Sequence, residues 1–99
     1  VVEMLIQTGN LANFDASLSV TGSISSSLDL TENEWNSTMR TNLTGAWLVS
    51  KYVGRQMREA CTGGCIVNVS SISGLNRAQM RGSVAYSSSK AGMDSMTRV

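Results

Sequence analysis

A tyrosine and a lysine lie four positions apart in the segment Tyr86-Ser87-Ser88-Ser89-Lys90. On a helix, residues at this spacing share a face, with Cβ atoms about 5 to 6 Å apart. A lysine ammonium at that distance favours ionisation of the phenol, whose ordinary pKa is about 10. Such a pair could donate a proton in carbonyl chemistry. Alone the pattern is weak, and the competing interpretation is an aromatic ring beside a solvated lysine.

A capping box marks the start of a long helix that could position such a site. In Thr31-Glu32-Asn33-Glu34, the threonine oxygen can accept from a free amide and Glu34 can reach back to the cap. An apolar stripe at helical spacing then continues to about Ala60, before Gly63-Gly64. We predict a helix over 32–60, about 40 Å long, and a second over 85–99. The stripe consists of Trp35, Met39, Leu43, Ala46, Ser50, Val53 and Met57.

Strands are predicted on either side of the long helix. A β-branched run at 66–69 predicts a buried parallel strand with Ser70 and Ser71 at its carboxyl end. Another strand is predicted near 1–7, and the serine-rich stretch 20–30 is typical of a loop. The order strand, helix, strand, helix predicts an α/β layer with right-handed crossovers. In such sheets, sites gather at the carboxyl ends of strands.

Length and composition exclude several function classes. The 99 residues suffice for one small domain, 1–99, and 41% of them are hydrophobic, with no apolar run near the ~20 residues of a membrane span. The net charge is +1 and the basic residues are scattered, so neither nucleic acid nor a membrane is an expected partner. With no His and only Cys61 and Cys65, we expect no metal site and two reduced thiols. An intracellular, soluble protein is expected, with cytoplasm and plastid both open.

Three separated segments together resemble the short-chain dehydrogenase/reductase family. The resemblance covers 20–99, whereas 1–19 do not fit the family pattern. Within the family, the stretch 27–77 is most similar to plant proteins described as 3-oxoacyl-(acyl carrier protein) reductase-like. The segments are Thr41-Asn42-Leu43-Thr44-Gly45, the run from Gly64 to Gly74 (GCIVNVSSISG), and the run from Tyr86 to Gly92 (YSSSKAG).

The resemblance implies a doubly wound Rossmann sheet of parallel strands with long helices, NAD(P)(H) as cofactor, and hydride transfer to or from a small carbonyl or alcohol. It assigns Tyr86 as the proton donor or acceptor, and Lys90 as the residue that assists ionisation of Tyr86 and holds the nicotinamide ribose. Ser71 would orient the substrate carbonyl, with Ser70 as the alternative. Asn42 would kink the long helix and support a water in the proton relay. Without a functional role, Asn42 would bond to its own helical turn and Ser71 would cap a loop.

Parts of the family pattern are absent from these residues. The chain spans roughly the middle third of the usual family length. No two glycines are four apart, so the glycine-rich phosphate loop is missing, and Ala16-Ser17-Leu18-Ser19 replaces the expected Asn-Asn-Ala-Gly segment. We therefore expect an incomplete sheet and a truncated segment that is inactive alone.

Two hypotheses from different classes follow. In the first, the chain is part of an NAD(P)-dependent carbonyl reductase. In the second, it is a non-catalytic relative that binds a full-length oligomeric partner, or forms a homo-oligomer, through the helices 32–60 and 85–99. The second hypothesis follows from the apolar surface and strand edges that an incomplete sheet leaves exposed.

Overall fold

A computed structural model describes residues 3–8, 13–17, 20, 22, 24–75 and 81–99 of the chain. Helices account for most of this part, and a small sheet completes it. The strands are β1 (Glu3–Thr8), β2 (Asn13–Ser17) and β3 (Gly64–Asn68). The helices are α1 (Glu32–Met39), a π-helical segment (Arg40–Thr44), α2 (Gly45–Ala60), a 3-10 turn (Ile72–Leu75) and α3 (Val84–Arg98).

The long helix predicted over 32–60 is confirmed, with a π-helical interruption in its middle. Its capping box forms as expected, because Thr31 Oγ1 accepts from Glu34 N at 3.2 Å and Glu34 Oε2 accepts from Thr31 N at 3.3 Å. The helix ends at Ala60, after which Cys61 takes a left-handed conformation (φ 52°). The second predicted helix also forms, and it begins at Val84, one residue earlier than predicted.

The described strands form one sheet of order β2-β1-β3, and both pairings are antiparallel. Ile66 of β3 pairs with Ile6 of β1. The predicted parallel, doubly wound arrangement is therefore wrong for these strands, and β2 was not predicted at all. Only four residues separate β1 from β2, and so short a connection permits only an antiparallel pair. The apolar run of β3 predicts that the strand packs against other elements. It does not indicate whether the neighbouring strand is parallel or antiparallel.

Strand β3 is half-buried, which corrects the prediction of a fully buried strand. Ile66 and Asn68 are partly covered, whereas Cys65 and Val67 are exposed. This alternation is typical of a sheet with one packed face. On that face Ile66 packs against Met57 of α2, together with Val49 and Val53 of the same helix. The stripe predicted on the long helix therefore does contribute to the core, at its carboxyl end.

Four further features of the described residues concern membrane-spanning helices, metal ligands, thiols and the segment 20–30. Within them, none of the helices combines the length and apolar character needed to cross a membrane. No group of three potential metal ligands occurs in the same part of the chain. Cys61 and Cys65 are free, exposed thiols. The described residues of the segment 20–30 contain no helix or strand, in agreement with the predicted loop.

Candidate active site

The side chain of Lys90 is buried between α3 and the end of β3, with 1% of its surface exposed. Its Nζ donates a hydrogen bond to the backbone oxygen of Val69 at 3.3 Å. The same nitrogen lies 5.7 Å from the centroid of the Tyr86 ring, so the predicted pairing on one helix face does form. Burial lowers the pKa of Lys90, and the nearby Asp94 carboxylate partly opposes this effect. The result is a desolvated cation held beside a phenol.

The two serines that follow β3 have different hydrogen-bonding roles. Ser70 Oγ donates its only proton to the backbone oxygen of Lys90 at 3.2 Å, which ties the strand end to α3. Ser71 Oγ instead accepts from Ser73 N at 3.2 Å, at the start of the 3-10 turn. Because a hydroxyl has one proton and two acceptor positions, Ser71 can accept this bond and still donate its proton to another group. Ser70 cannot do so without breaking its bond to Lys90.

Asn42 is buried within the π-helical segment, and its side chain links distant parts of the chain. Its Oδ1 accepts from Val20 N at 3.0 Å, while Nδ2 donates to Val20 O at 2.9 Å and to Ser89 Oγ at 3.1 Å. These partners fix the orientation of the amide, since the flipped amide would place its NH₂ against an N–H group. The π-helical segment lies where the family resemblance implies a kink, and the role of Asn42 in such a kink stays a prediction.

Ser89 is a buried member of this cluster that the sequence analysis did not single out. It has no exposed surface, accepts the bond from Asn42 Nδ2, and donates to the backbone oxygen of Tyr86 at 2.7 Å. One available signal was its spacing. A residue three positions after Tyr86 lies on the same face of the helix, and that face carries the site.

Close backbone packing holds α3 on both sides of Lys90. A Cβ atom at Gly74, in the 3-10 turn, would lie 2.9 Å from the Lys90 carbonyl carbon and 3.0 Å from Ala91 N. A Cβ atom at Gly92 would lie 2.9 Å from Leu43 Cδ2 in the π-helical segment. The turn that follows Ser71 and the segment carrying Asn42 therefore both approach α3 at positions without a side chain.

Two cavities lie away from these residues. One, of about 320 Å³, is an open pocket between α2, β3 and α3, and the buried Asn68 Oδ1 beside it has no hydrogen-bond partner among the described residues. The other, of about 630 Å³, lies along α1 and the π-helical segment. The residues lining them do not include Tyr86, Lys90 or Ser71. The first is lined by Trp47, Ser50, Lys51, Ile66, Asn68, Met96 and Thr97, and the second by Asn33, Asn36, Ser37, Met39, Arg40 and Thr44.

Helices packed on a small sheet, with polar residues gathered at the end of β3, define a protein of mixed helix and sheet with a candidate site at a strand end. The chain belongs to the short chain dehydrogenase family, whose family model matches residues 10–99. The family resemblance stated from the sequence is thereby confirmed. The match begins ten residues before the segment 20–99 in which the family pattern was recognised. The family has a Rossmann-like α/β fold, of which the described residues form part.

Curated relatives agree with this membership. The chain is 42% identical over 71 residues to a protein of Listeria innocua named NAD-dependent glycerol dehydrogenase, covering 72% of this chain and 27% of that protein. It is 33% identical over 92 residues to an uncharacterized oxidoreductase of Mycobacterium tuberculosis, covering 91% of this chain and 34% of the relative. An uncharacterized oxidoreductase of Thermotoga maritima is 41% identical over 70 residues, which cover 71% of this chain and 27% of the relative. The chain thus spans about a quarter to a third of the length of these relatives. No solved structure matches it.

Proposed function

We propose that this chain carries the proton-transfer part of an NAD(P)-dependent oxidoreductase that interconverts small carbonyl compounds and alcohols. The observation that carries the proposal is the burial of the Lys90 ammonium beside the Tyr86 ring at the end of β3. A cation without solvent acts strongly on a neighbouring phenol, because little water screens the interaction. Family membership and the nicotinamide dependence in the name of the Listeria relative support the same chemistry.

In the proposed reaction each group has a distinct task. Hydride arriving at a carbonyl carbon produces an alkoxide, which must receive a proton as it forms. Tyr86 supplies that proton, and Lys90 stabilises the resulting phenolate. The proton of Ser71 has no acceptor among the described residues and can bind the substrate oxygen, so we propose Ser71 rather than Ser70 for this role. In alcohol oxidation the same steps run in reverse.

A nicotinamide cofactor fits one part of this site. Of the three N–H groups of Lys90, one donates to Val69 O, and the other two have no hydrogen-bond partner among the described residues. They can donate to the hydroxyl groups of a ribose, while the hydride itself is supplied by the bound cofactor. The glycine pattern that holds a pyrophosphate in this family is absent from the 99 residues. We therefore propose that these residues contribute the nicotinamide end of the cofactor site, and that the segment is inactive alone.

The substrate class remains a choice between two small-molecule types. The stretch 27–77 resembles plant 3-oxoacyl-(acyl carrier protein) reductase-like proteins, whereas one relative is named for glycerol. Activity assays with a 3-oxoacyl thioester and with a small polyol and its ketone, each with both nicotinamide cofactors, distinguish the two substrate types.

Cofactor binding tests the proposal directly. The 99-residue chain is titrated with NADH and NADPH, and the nicotinamide fluorescence is followed up to millimolar concentration. Tyr86→Phe and Lys90→Met are compared with Tyr52→Phe and Lys51→Met, because Tyr52 and Lys51 are the only other tyrosine and lysine, and both are exposed. We expect Lys90→Met to weaken binding at least tenfold and the exposed-site variants to leave it unchanged. A chain that binds neither cofactor, or binds equally well without Lys90, would contradict the proposal.

A second candidate function is supported by the thin core. Among the described residues, only Met57, Ala85 and Met93 are buried apolar side chains. Several large apolar side chains are exposed, and surface of this kind is typical of a protein interface. The chain could therefore act as a non-catalytic relative that binds a full-length partner. Size-exclusion chromatography with light scattering tests this, since a well-behaved monomer that does not co-elute with a full-length relative contradicts it. The exposed side chains include Ile24, Leu28, Trp47, Tyr52, Val67, Val69, Ile72 and Leu75.

A further inference from the structure

Ser89 joins the π-helical segment to the helix that carries the tyrosine and the lysine. Its oxygen accepts from Asn42 Nδ2, and its proton goes to the Tyr86 backbone oxygen. The two bonds run in the same direction, from amide to hydroxyl to carbonyl, so each polarises and strengthens the other. At the far end, the Asn42 amide is held by the backbone of Val20. One buried hydroxyl thus connects Val20 to the turn of α3 between Tyr86 and Lys90.

Ser89 acts on the helical turn that sets the separation and angle between the Tyr86 ring and the Lys90 ammonium. In an α-helix the Tyr86 carbonyl accepts from the amide of Lys90, four residues later. The Ser89 hydroxyl brings a second donor to the same carbonyl, and bonds of this kind from a serine to the preceding turn bend a helix locally. A change in the bend of this turn changes the separation between the Tyr86 ring and the Lys90 ammonium.

We propose that Ser89 is a positioning residue for proton transfer. By fastening the Tyr86 carbonyl to the Asn42 amide, it fixes the angle and separation at which the phenol meets the ammonium. It contacts neither substrate nor cofactor and acts only through Asn42 and Tyr86. The inference rests on the proposed function, because it presupposes that the phenol of Tyr86 exchanges a proton under the influence of Lys90.

The experiment follows ionisation of the Tyr86 phenol without any ligand. Tyr52→Phe leaves Tyr86 as the only tyrosine of the chain, so the tyrosinate absorbance reports on that phenol alone. In this background Ser89→Ala and Ser89→Thr are titrated beside two reference variants. Lys90→Met reports the full influence of the ammonium, and Ser88→Ala is the matched control. The neighbouring Ser88 lies on the same helix, and its side chain forms no hydrogen bond within the described part of the chain.

We expect Lys90→Met to raise the midpoint of the phenol titration, because it removes the cation beside the ring. Ser89→Ala should move the midpoint in the same direction and by less. Ser88→Ala should not move it, and Ser89→Thr, which keeps the hydroxyl, should restore the original midpoint. Circular dichroism confirms that each variant retains its helices. If Ser89→Ala unfolds, Ser89→Cys, with a similar volume but a weak donor, is expected to show the same upward shift.

The outcomes separate the two proposals. A midpoint that moves in Lys90→Met but not in a folded Ser89 variant overturns the role of Ser89 alone. A midpoint that moves in neither variant overturns the proposed function, because Lys90 then either has no influence on the phenol or has already lost its charge where the phenol ionises. A loss of thermal stability in Ser89→Ala without a change of midpoint shows a purely structural hydroxyl, and it also overturns the inference.

Discussion

The side-chain amide of Asn42 pairs with both backbone polar atoms of Val20, 22 residues earlier in the chain. A neighbouring β-strand would bond to the N–H and C=O of Val20 in the same way. Here the donor and the acceptor are the side-chain amide atoms of a helical residue. The same amide also reaches Ser89, 47 residues later. A single side chain in the π-helical segment therefore joins the loop, the long helix and α3.

Asn42→Ala should destabilise the chain by about 1 to 3 kcal/mol, because it leaves the buried Ser89 hydroxyl without its donor and removes the part-buried bonds to Val20. Urea unfolding monitored by circular dichroism measures the change. The control is Asn36→Ala on the exposed face of α1, which should stay within about 0.5 kcal/mol of the parent chain. Equal stability of the two variants would contradict the linking role of Asn42.

Lys90 should make the stability depend on pH in the alkaline range. Burial lowers the pKa of Lys90 in the folded chain below 10.5, the ordinary value for lysine. Below the folded pKa, the buried charge opposes folding by a constant amount. Between the folded pKa and 10.5 the unfolded chain binds more protons, so the stability rises with pH.

The measurement is the urea midpoint of the parent chain and of Lys90→Met from pH 7 upward. The difference between the two should shift in favour of the parent chain as the pH approaches 10.5, the ordinary value for lysine. Both chains carry Tyr86→Phe, so ionisation of the phenol beside Lys90 does not enter the difference. The same sign should appear in ¹³C NMR of labelled lysine, where the pKa of the Lys90 signal should lie below 10.5, the ordinary value for lysine. A difference that does not change with pH would contradict the lowered pKa.

The glycines on either side of α3 should differ in their tolerance of a methyl group. At Gly74 the new Cβ would meet backbone atoms of Lys90 and Ala91, which cannot move without shifting the helix. At Gly92 it would meet the end of the Leu43 side chain, which can rotate away. We expect Gly74→Ala to cost about 1 to 3 kcal/mol, the range for overpacking, and Gly92→Ala clearly less. Thermal unfolding of the two variants decides the order, and the reverse order would contradict this packing.

The capping box at Thr31 should contribute measurably to stability. Thr31→Ala removes the oxygen that accepts from Glu34 N, and we expect a loss of about 1 kcal/mol. Thr31→Ser keeps the oxygen and should retain most of the stability. Helix content and urea midpoint measured on both variants test the cap. A Thr31→Ala chain as stable as Thr31→Ser would show that the cap contributes nothing.

The helices could be predicted well because their signals are local. The capping box at Thr31 and the apolar stripe ending at Met57 lie within the helix that they specify. Sheet pairing is not local, since nothing in the β3 residues states which strand lies beside them or in which direction. Strand β2 contains Asn13, Asp15 and Ser17, a polar composition that does not indicate a strand, and it is paired by its neighbour β1.

The candidate site was predictable as residue types, but not as a hydrogen-bond network. The spacing of Tyr86 and Lys90 predicted a shared helix face, and this face forms. The choice between Ser70 and Ser71 depends on which hydroxyl already donates its proton within the protein. Ser70 donates to the backbone oxygen of Lys90, which lies 20 residues later in the chain. The role of Ser89 likewise depends on Asn42, 47 residues earlier. Long-range bonds of this kind have no signature in a single sequence.

The π-helical segment also determines the rotational phase between the two halves of the long helix. A π-helical turn holds an extra residue, and one residue corresponds to about 100° of rotation in an α-helix. If the same residues continued as regular α-helix through Arg40–Thr44, α2 would be turned by about that angle. Met57 would then no longer face Ile66 of the sheet. The inserted residue thus allows Asn42 to contact α3 while Met57 of the same continuous helix contacts β3. An uninterrupted α-helix of this sequence would not make both contacts.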